Sequence, residues 1–370
     1  MKKSFILATS AALLLASCGT TKGALDKAPT SAFAEKKYSD DTLKNWPHQG
    51  FKQKFPGINL DEAYALLKNL TPKKIIVGVV DSGVDINHED LKNVIWTNTA
   101  EIPNNGKDDD KNGYVDDIHG WNFLGNIIQE NTEMTRIYKT KNTKNPDYAR
   151  AKEEYEKEAS EAKRTKAFYQ QLIETADFAD KAVRKIVGKD TYTLEDIEKA
   201  TKGKSYDEMT TDMVGFMKEL LARANDNEEI KKELKEGVDY FDTKLKYHLG
   251  LDFSPRKTIL KDDENDFSKK YYGNNNVIGP DSKEALHGTH VAGIIAAERN
   301  NGIGMDGVAN SVWIMPVRAV PDGDEYDKDV ALALRYAVDN GAKVINTSFG
   351  KGFSPHKEWV YDAIKYAASK

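Results

Sequence analysis

Hydrophobic positions fall into distinct patterns along this 370-residue chain. Residues 73–85, KKIIVGVVDSGVD, are a nearly unbroken β-branched run closed by an aspartate and a glycine turn. A strand buried on both faces of a parallel sheet reads this way, and it delivers Asp81 at its carboxyl end, where open α/β sheets place their chemistry. Residues 286–297, LHGTHVAGIIAA, are small and apolar and predict a buried helix with His287 at its mouth. Strands near 312–320 and 342–348 alternate with helices near 287–299, 327–340 and 356–369. That alternation predicts an α/β fold, a parallel sheet with helices on both faces. Upstream, PGINLDEAYALLKNL (56–70) sets Leu60, Ala63, Tyr64 and Leu67 at helical spacing.

Between Asp81 and His287 lie about 200 residues, far more than a loop requires. Residues 131–270 are dense in Lys and Glu, poor in Gly and helical in period. Ser205 and Glu208 have capping-box spacing ahead of Met209, Met213, Phe216, Met217, Leu220 and Leu221. A second stripe runs through Ile230, Leu234, Phe241, Leu245 and Leu249, and an earlier one through Tyr148, Tyr155, Ala159, Phe168 and Leu172. The expectation is an inserted α-helical subdomain of two to four helices with its own core. It leaves and re-enters the chain between Asp81 and His287, so it belongs near the same face, as a gate over the cleft or a docking surface for a partner.

A histidine such as His287 is open to a structural or metal-binding reading on its own. Five segments together narrow it: the strand ending in Asp81, DINHEDL (85–91), LHGTHVAGIIAA, NNGIGMDGVANSVWIMPVRAV (300–320) and VINTSFG (344–350). In this order and spacing they resemble the subtilisin-like serine proteases, over roughly 44–130 and 275–370. The resemblance implies a subtilisin-like fold and a serine-type endopeptidase acting on polypeptide substrates. In it Asp81 orients His287 as general base toward a serine, and Ser348, Phe349 and Gly350 line the substrate strand.

The family's nucleophile motif, G-T-S-x-A, and its oxyanion segment, A-A-G-N, have no match in residues 1–370. Ser348 falls on the substrate strand and is not a substitute. YDAIKYAASK (361–370) resembles the helix that precedes the oxyanion segment, so the expectation is a C-terminally incomplete domain, inactive alone. The alternative is a catalytically inactive lipoprotein that binds peptides or proteins.

Composition adds three points. A formal net charge of −5 implies neither a nucleic-acid nor an anionic-membrane partner. The single cysteine rules out an intramolecular disulfide. That cysteine ends MKKSFILATSAALLLASC, two lysines and an apolar run too short to span a bilayer. This resembles a bacterial lipoprotein signal: residues 1–18 are the signal peptide, Cys18 carries the lipid, and 19–43 are a flexible tether. The expected location is the cell envelope, with the membrane as partner through the lipid. The domain's first part is then 44–130, the insertion 131–270 and the second part 271–370.

Within the first part, Asp108, Asp110, Asn112, Tyr114 and Asp116 fall on alternate positions around Gly113, like the start of an EF-hand calcium loop. His119 stands where the bidentate glutamate belongs, and Asp117 is a spare oxygen donor. The expectation is structural Ca²⁺, the alternative a solvated acidic turn. Asp90 and Asn301 fall where the resemblance implies a second calcium.

Overall fold

The computed structural model describes residues 38–370; Cys18, the signal segment and most of the tether lie outside the described residues. Two compact units meet in the chain at Leu67 and Lys68. The first holds α1 (Asp40–Asn45), capped by Ser39 and starting inside the stretch read as tether, and α2 (Leu60–Leu67).

The second unit is built on four parallel strands: β1 (Ile75–Asp81), β2 (Trp121–Asn122), β3 (Val312–Arg318) and β4 (Ala342–Thr347), in the order β2-β3-β1-β4. Its helices, in chain order, are α3 (Glu133–Lys139), α4 (Tyr148–Val187), α5 (Leu194–Thr201), α6 (Glu208–Leu221), α7 (Asn227–Thr243), α8 (Leu286–Ala296), α9 (Asp327–Asp339) and α10 (Lys357–Ala368). Alternation along β1 explains the two layers. Val77 and Val79 pack on one face with Ala292 and Ala296 of α8. Val80 packs on the other with Leu332, Ala333, Tyr336 and Ala337 of α9. Gly78 lies beneath α9, and a Cβ there would stand 3.1 Å from that of Ala337. The predicted elements around the sheet are present within a few residues of their expected ends.

The insertion has five α-helices among the described residues, more than the two to four expected. Its stripes divide between two cores, one around Val183, Ile197, Val214, Met217, Ile230 and Leu234, the other around Ala159 and Leu249 with Tyr148, Tyr155, Phe241 and Leu245 packed against it. Helix α6 starts later than the Ser205 spacing suggested, because Asp207 caps it by accepting from Thr210 N at 3.0 Å.

Buried ion pairs fasten the insertion to the sheet domain. Arg256 reaches Asp262 at 2.6 Å and Asp329 of α9 at 2.8 Å, and Lys328 reaches Asp262 at 2.7 Å. Glu133 of α3 holds Arg136 at 2.6 Å and Lys351, beyond β4, at 2.8 Å; Lys351 also meets Asp327 at 3.0 Å. Phe353 sits in an apolar cluster with Met134, Ile137, Ala151, Ala159 and Leu249 of the insertion.

Burial pushes the Glu133 carboxyl up, but the charges and hydrogen bonds of Arg136 and Lys351 outweigh it and hold it at about 2, below its ordinary 4.5. A carboxylate depressed on folding adds stability above its unfolded pKa and loses it as pH falls through the folded one, here between 4.5 and 2. Denaturant unfolding across pH should therefore show a steep acid limb in that window. Glu133→Gln should remove about 3 kcal/mol at neutral pH and flatten that limb; an unchanged acid limb would refute the assignment.

Candidate active site

Asp81 is the last residue of β1 and is buried, while His287 opens α8 with a side chain 58% exposed. His287 Nδ1 and Asp81 Oδ1 are 2.7 Å apart across 206 residues of sequence. Ionised aspartate only accepts, so this contact puts the imidazole proton on Nδ1 and leaves Nε2 as a base on an exposed ring. Asp81 Oδ1 also accepts from Ser82 N at 2.7 Å, and Oδ2 is buried without a hydrogen bond.

Backbone approach sets this geometry. Gly83 has φ +120°, and a Cβ there would stand 2.7 Å from Ile278 O. A Cβ on Gly288 would stand 2.0 Å from Gly83 O. The first turn of α8 thus rests directly on the turn after Asp81, and Thr289 Oγ1 accepts from Asp85 N at 2.9 Å. The Asp81 carbonyl accepts from Ala319 N and Val320 N, tying β1 to the continuation of β3. Arg318 is buried, and its Nε donates to Ser82 O at 2.9 Å; burial drops its guanidinium to about 10.

Ser348, Phe349 and Gly350 continue β4, next to β1 in the sheet. Ser348 and Gly350 are exposed, and Ser348 Oγ accepts from Asn346 Nδ2 at 2.9 Å. Neither His287 nor His290 joins a set of three metal-ligating groups among the described residues.

The acidic loop is arranged differently from the expected spacing. Asp108 accepts from Asn112 N and Gly113 N, and Asp116 from Asn105 N and Gly106 N, so both hold backbone turns. The Tyr114 ring is buried among Trp121, Phe123, Tyr271 and Tyr336. The carboxylates that converge are Glu101, Asp110 and Asp117, with oxygens within 4.8 Å of one another. Asp110 belongs to the predicted set, and Asp117 is the spare donor named beside it. Glu101 stands outside any spacing pattern and was not foreseen. Asn98 joins Asp110 and Asp117 with 2.9 Å hydrogen bonds, and Asn112 reaches both at 3.1 Å. Burial lifts Asp117 to about 6, against hydrogen bonds from Tyr336, Asn112 and Asn98. Crowded hard oxygens whose charge burial opposes fit a divalent cation of the calcium type. Asp90 and Asn301 also come together, at 2.6 Å.

Fold and site thus define an α/β protein with a buried aspartate and an exposed histidine in contact at the end of a parallel sheet. The chain belongs to the subtilase family, whose sequence model matches residues 72–370. It is 43% identical over 89 residues to the cell wall-associated protease of Bacillus subtilis (strain 168), covering 24% of this chain and 10% of that protein. It is 46% identical over 85 residues to the thermophilic serine proteinase of Bacillus sp. (strain AK1), covering 23% and 21%. Subtilisin-like protease 1 of Plasmodium falciparum (isolate 3D7) is 42% identical over 82 residues, covering 21% and 12%. The matched stretches therefore span between a tenth and about a fifth of these relatives' lengths.

A methyl group at position 288 must separate α8 from the turn after Asp81. Gly288→Ala should weaken or break the Asp81–His287 hydrogen bond and cost about 1–3 kcal/mol in stability. Loss of the downfield imidazole N–H resonance checks it, and a resonance kept at its unaltered position would refute it.

Proposed function

We propose that this chain supplies the acid–base part of a serine-type peptidase. The 2.7 Å contact between Asp81 and His287 carries the reading. Buried Asp81 holds the exposed imidazole in one tautomer and stabilises it once charged, and His287 Nε2 takes the proton of a serine hydroxyl as that oxygen attacks the peptide carbonyl. His287 then returns the proton to the leaving amine. The substrate's acyl side runs along Ser348–Gly350. That serine matches no motif within residues 1–370, so hydrolysis is assigned to the natively produced protein. A module that only bound peptides would have no use for a carboxylate-oriented base. His287→Ala should lower hydrolysis of an unstructured fluorogenic peptide by about 10⁴–10⁶-fold with circular dichroism unchanged. Full activity in that variant would overturn the reading.

We further infer that Glu101, Asp110 and Asp117 hold a structural Ca²⁺, oriented by Asn98 and Asn112. When bound, the ion supplies positive charge among the three carboxylates. Calcium should raise the melting temperature by several degrees, and Asp117→Asn should abolish most of that rise; chelator-insensitive melting of the unaltered protein would exclude the site. Lipidation at Cys18 and anchoring in the cell envelope complete the proposal, on the strength of the amino-terminal sequence.

A further inference from the structure

Arg318 ends β3, and its register partner on β1 is Asp81. Registered residues of neighbouring strands share a face, so the Arg318 side chain leaves the sheet beside that of Asp81. It is buried and makes no ion pair among the described residues. Its nitrogens serve oxygens of separate segments instead. Nε donates to Ser82 O at 2.9 Å, Nη1 to Asn122 Oδ1 at 3.2 Å and Gly125 O at 3.4 Å, and Nη2 to Ile127 O at 2.7 Å. Gly279 closes over it at φ +93°, and a Cβ there would stand 2.7 Å from Nε. The charged group that faces Arg318 is Glu284, three residues before His287.

A buried guanidinium without a carboxylate is costly to keep. Fastening β2 does not require it, since Trp121 and Asn122 already pair with β3 and Phe123 N donates to Arg318 O at 2.9 Å. Ser82 O is different. No backbone N–H among the described residues reaches that carbonyl, and Arg318 Nε fills the place. Ser82 in turn touches the elements that carry both members of the dyad. Its N–H donates to Asp81 Oδ1 at 2.7 Å, and its Oγ accepts from Gly288 N, in the first turn of α8, at 3.4 Å. Asp81 Oδ2 has no hydrogen bond, so Ser82 N and His287 alone set the rotation of that carboxyl.

We propose that Arg318 is a positioning residue for the proton transfer: it pins Ser82, and through Ser82 it holds Asp81 and the start of α8 where the His287 proton stays on Nδ1. This rests on the peptidase reading above and adds to it a group that never touches substrate. The planar fork decides the residue type. Nε and the two Nη atoms reach separate segments at once, whereas a lysine ammonium is a single point charge on a flexible stem. Lysine keeps the charge and follows the oxygens at the far end, leaving Ser82 O unmet. The turn is then free to rotate, and Ser82 N and Oγ lose their places against Asp81 and Gly288. An imidazole released from Oδ1 also takes the tautomer with its proton on Nε2, and in that form Nε2 cannot accept the proton of a serine hydroxyl.

The test is ring-nitrogen NMR of His287 in alkaline buffer, on the natively produced protein and on Arg318→Lys, beside hydrolysis of an unstructured peptide. The unaltered ring should carry its proton on Nδ1. In Arg318→Lys the two tautomers should mix, and kcat should fall about 10- to 100-fold with KM unchanged. Val317→Ala is the control for damage to β3 alone, since Val317 is buried on the opposite face with Val80 and Leu332. It should lower the melting temperature and leave both the tautomer and kcat as they were. If Arg318→Lys does not fold by circular dichroism, Gly279→Ala replaces it, because the added Cβ displaces Arg318 Nε from Ser82 O with the charge kept. An unmixed Nδ1 tautomer in the folded variant overturns the proposal, and so does equal mixing in Val317→Ala. If the unaltered protein cuts no peptide, the peptidase reading fails, and the ring spectra alone decide for or against Arg318 by the same outcomes.

Discussion

The hydrogen bond between Asp81 and His287 depends on one constraint, the direct seating of a helix start on a strand end. Only backbone lies between Gly83 and Gly288. A strand buried on both faces fixes Asp81, and the α8 residues Ala292 and Ala296 pack against that strand, so α8 has little freedom to slide. The dyad's short distance follows from sheet packing and two missing side chains. The residues between its members, which stand 206 positions apart, can therefore be elaborated freely, provided they return at the same place.

The elaboration is a helical insertion joined to the domain through charge. Apolar docking would serve as well for stability, since a buried ion pair roughly balances its desolvation against its attraction. Charge adds direction. Arg136 and Lys351 each need particular oxygens at particular distances, and both reach the carbonyl of Glu325, in the segment leaving β3.

Strands β1, β3 and β4 and the insertion's helical character were legible because each rests on local periodicity, and Asp81 and His287 stand at the ends of two such runs. Three features were not. Strand β2 is two residues long and has no period to detect. The cap of α6 passed from Ser205 to Asp207, since both are good caps and only the chain's entry decides. The acidic loop misled most: spacing counts oxygens on alternate residues, but Asp108 and Asp116 use theirs on backbone N–H groups. Glu101 reaches Asp110 N from nine residues upstream, a contact set by the loop's closure.

Helix α9 connects these parts. Asp327 and Asp329 in its first turn take Lys351 and Arg256, where carboxylates also suit the positive end of the helix dipole. Nearer its other end, Tyr336 donates to Asp117 at 2.6 Å and packs against Tyr114 and Phe123. Between them, Leu332, Ala333 and Ala337 lie against the face of the sheet that includes Val80, next to Asp81. The acidic loop and the ion pairs of Lys351 and Arg256 therefore meet on one helix, packed against the strand that ends in Asp81. Burial opposes the charge on Asp117, and a cation there would offset that cost at the end of the helix that packs against Val80.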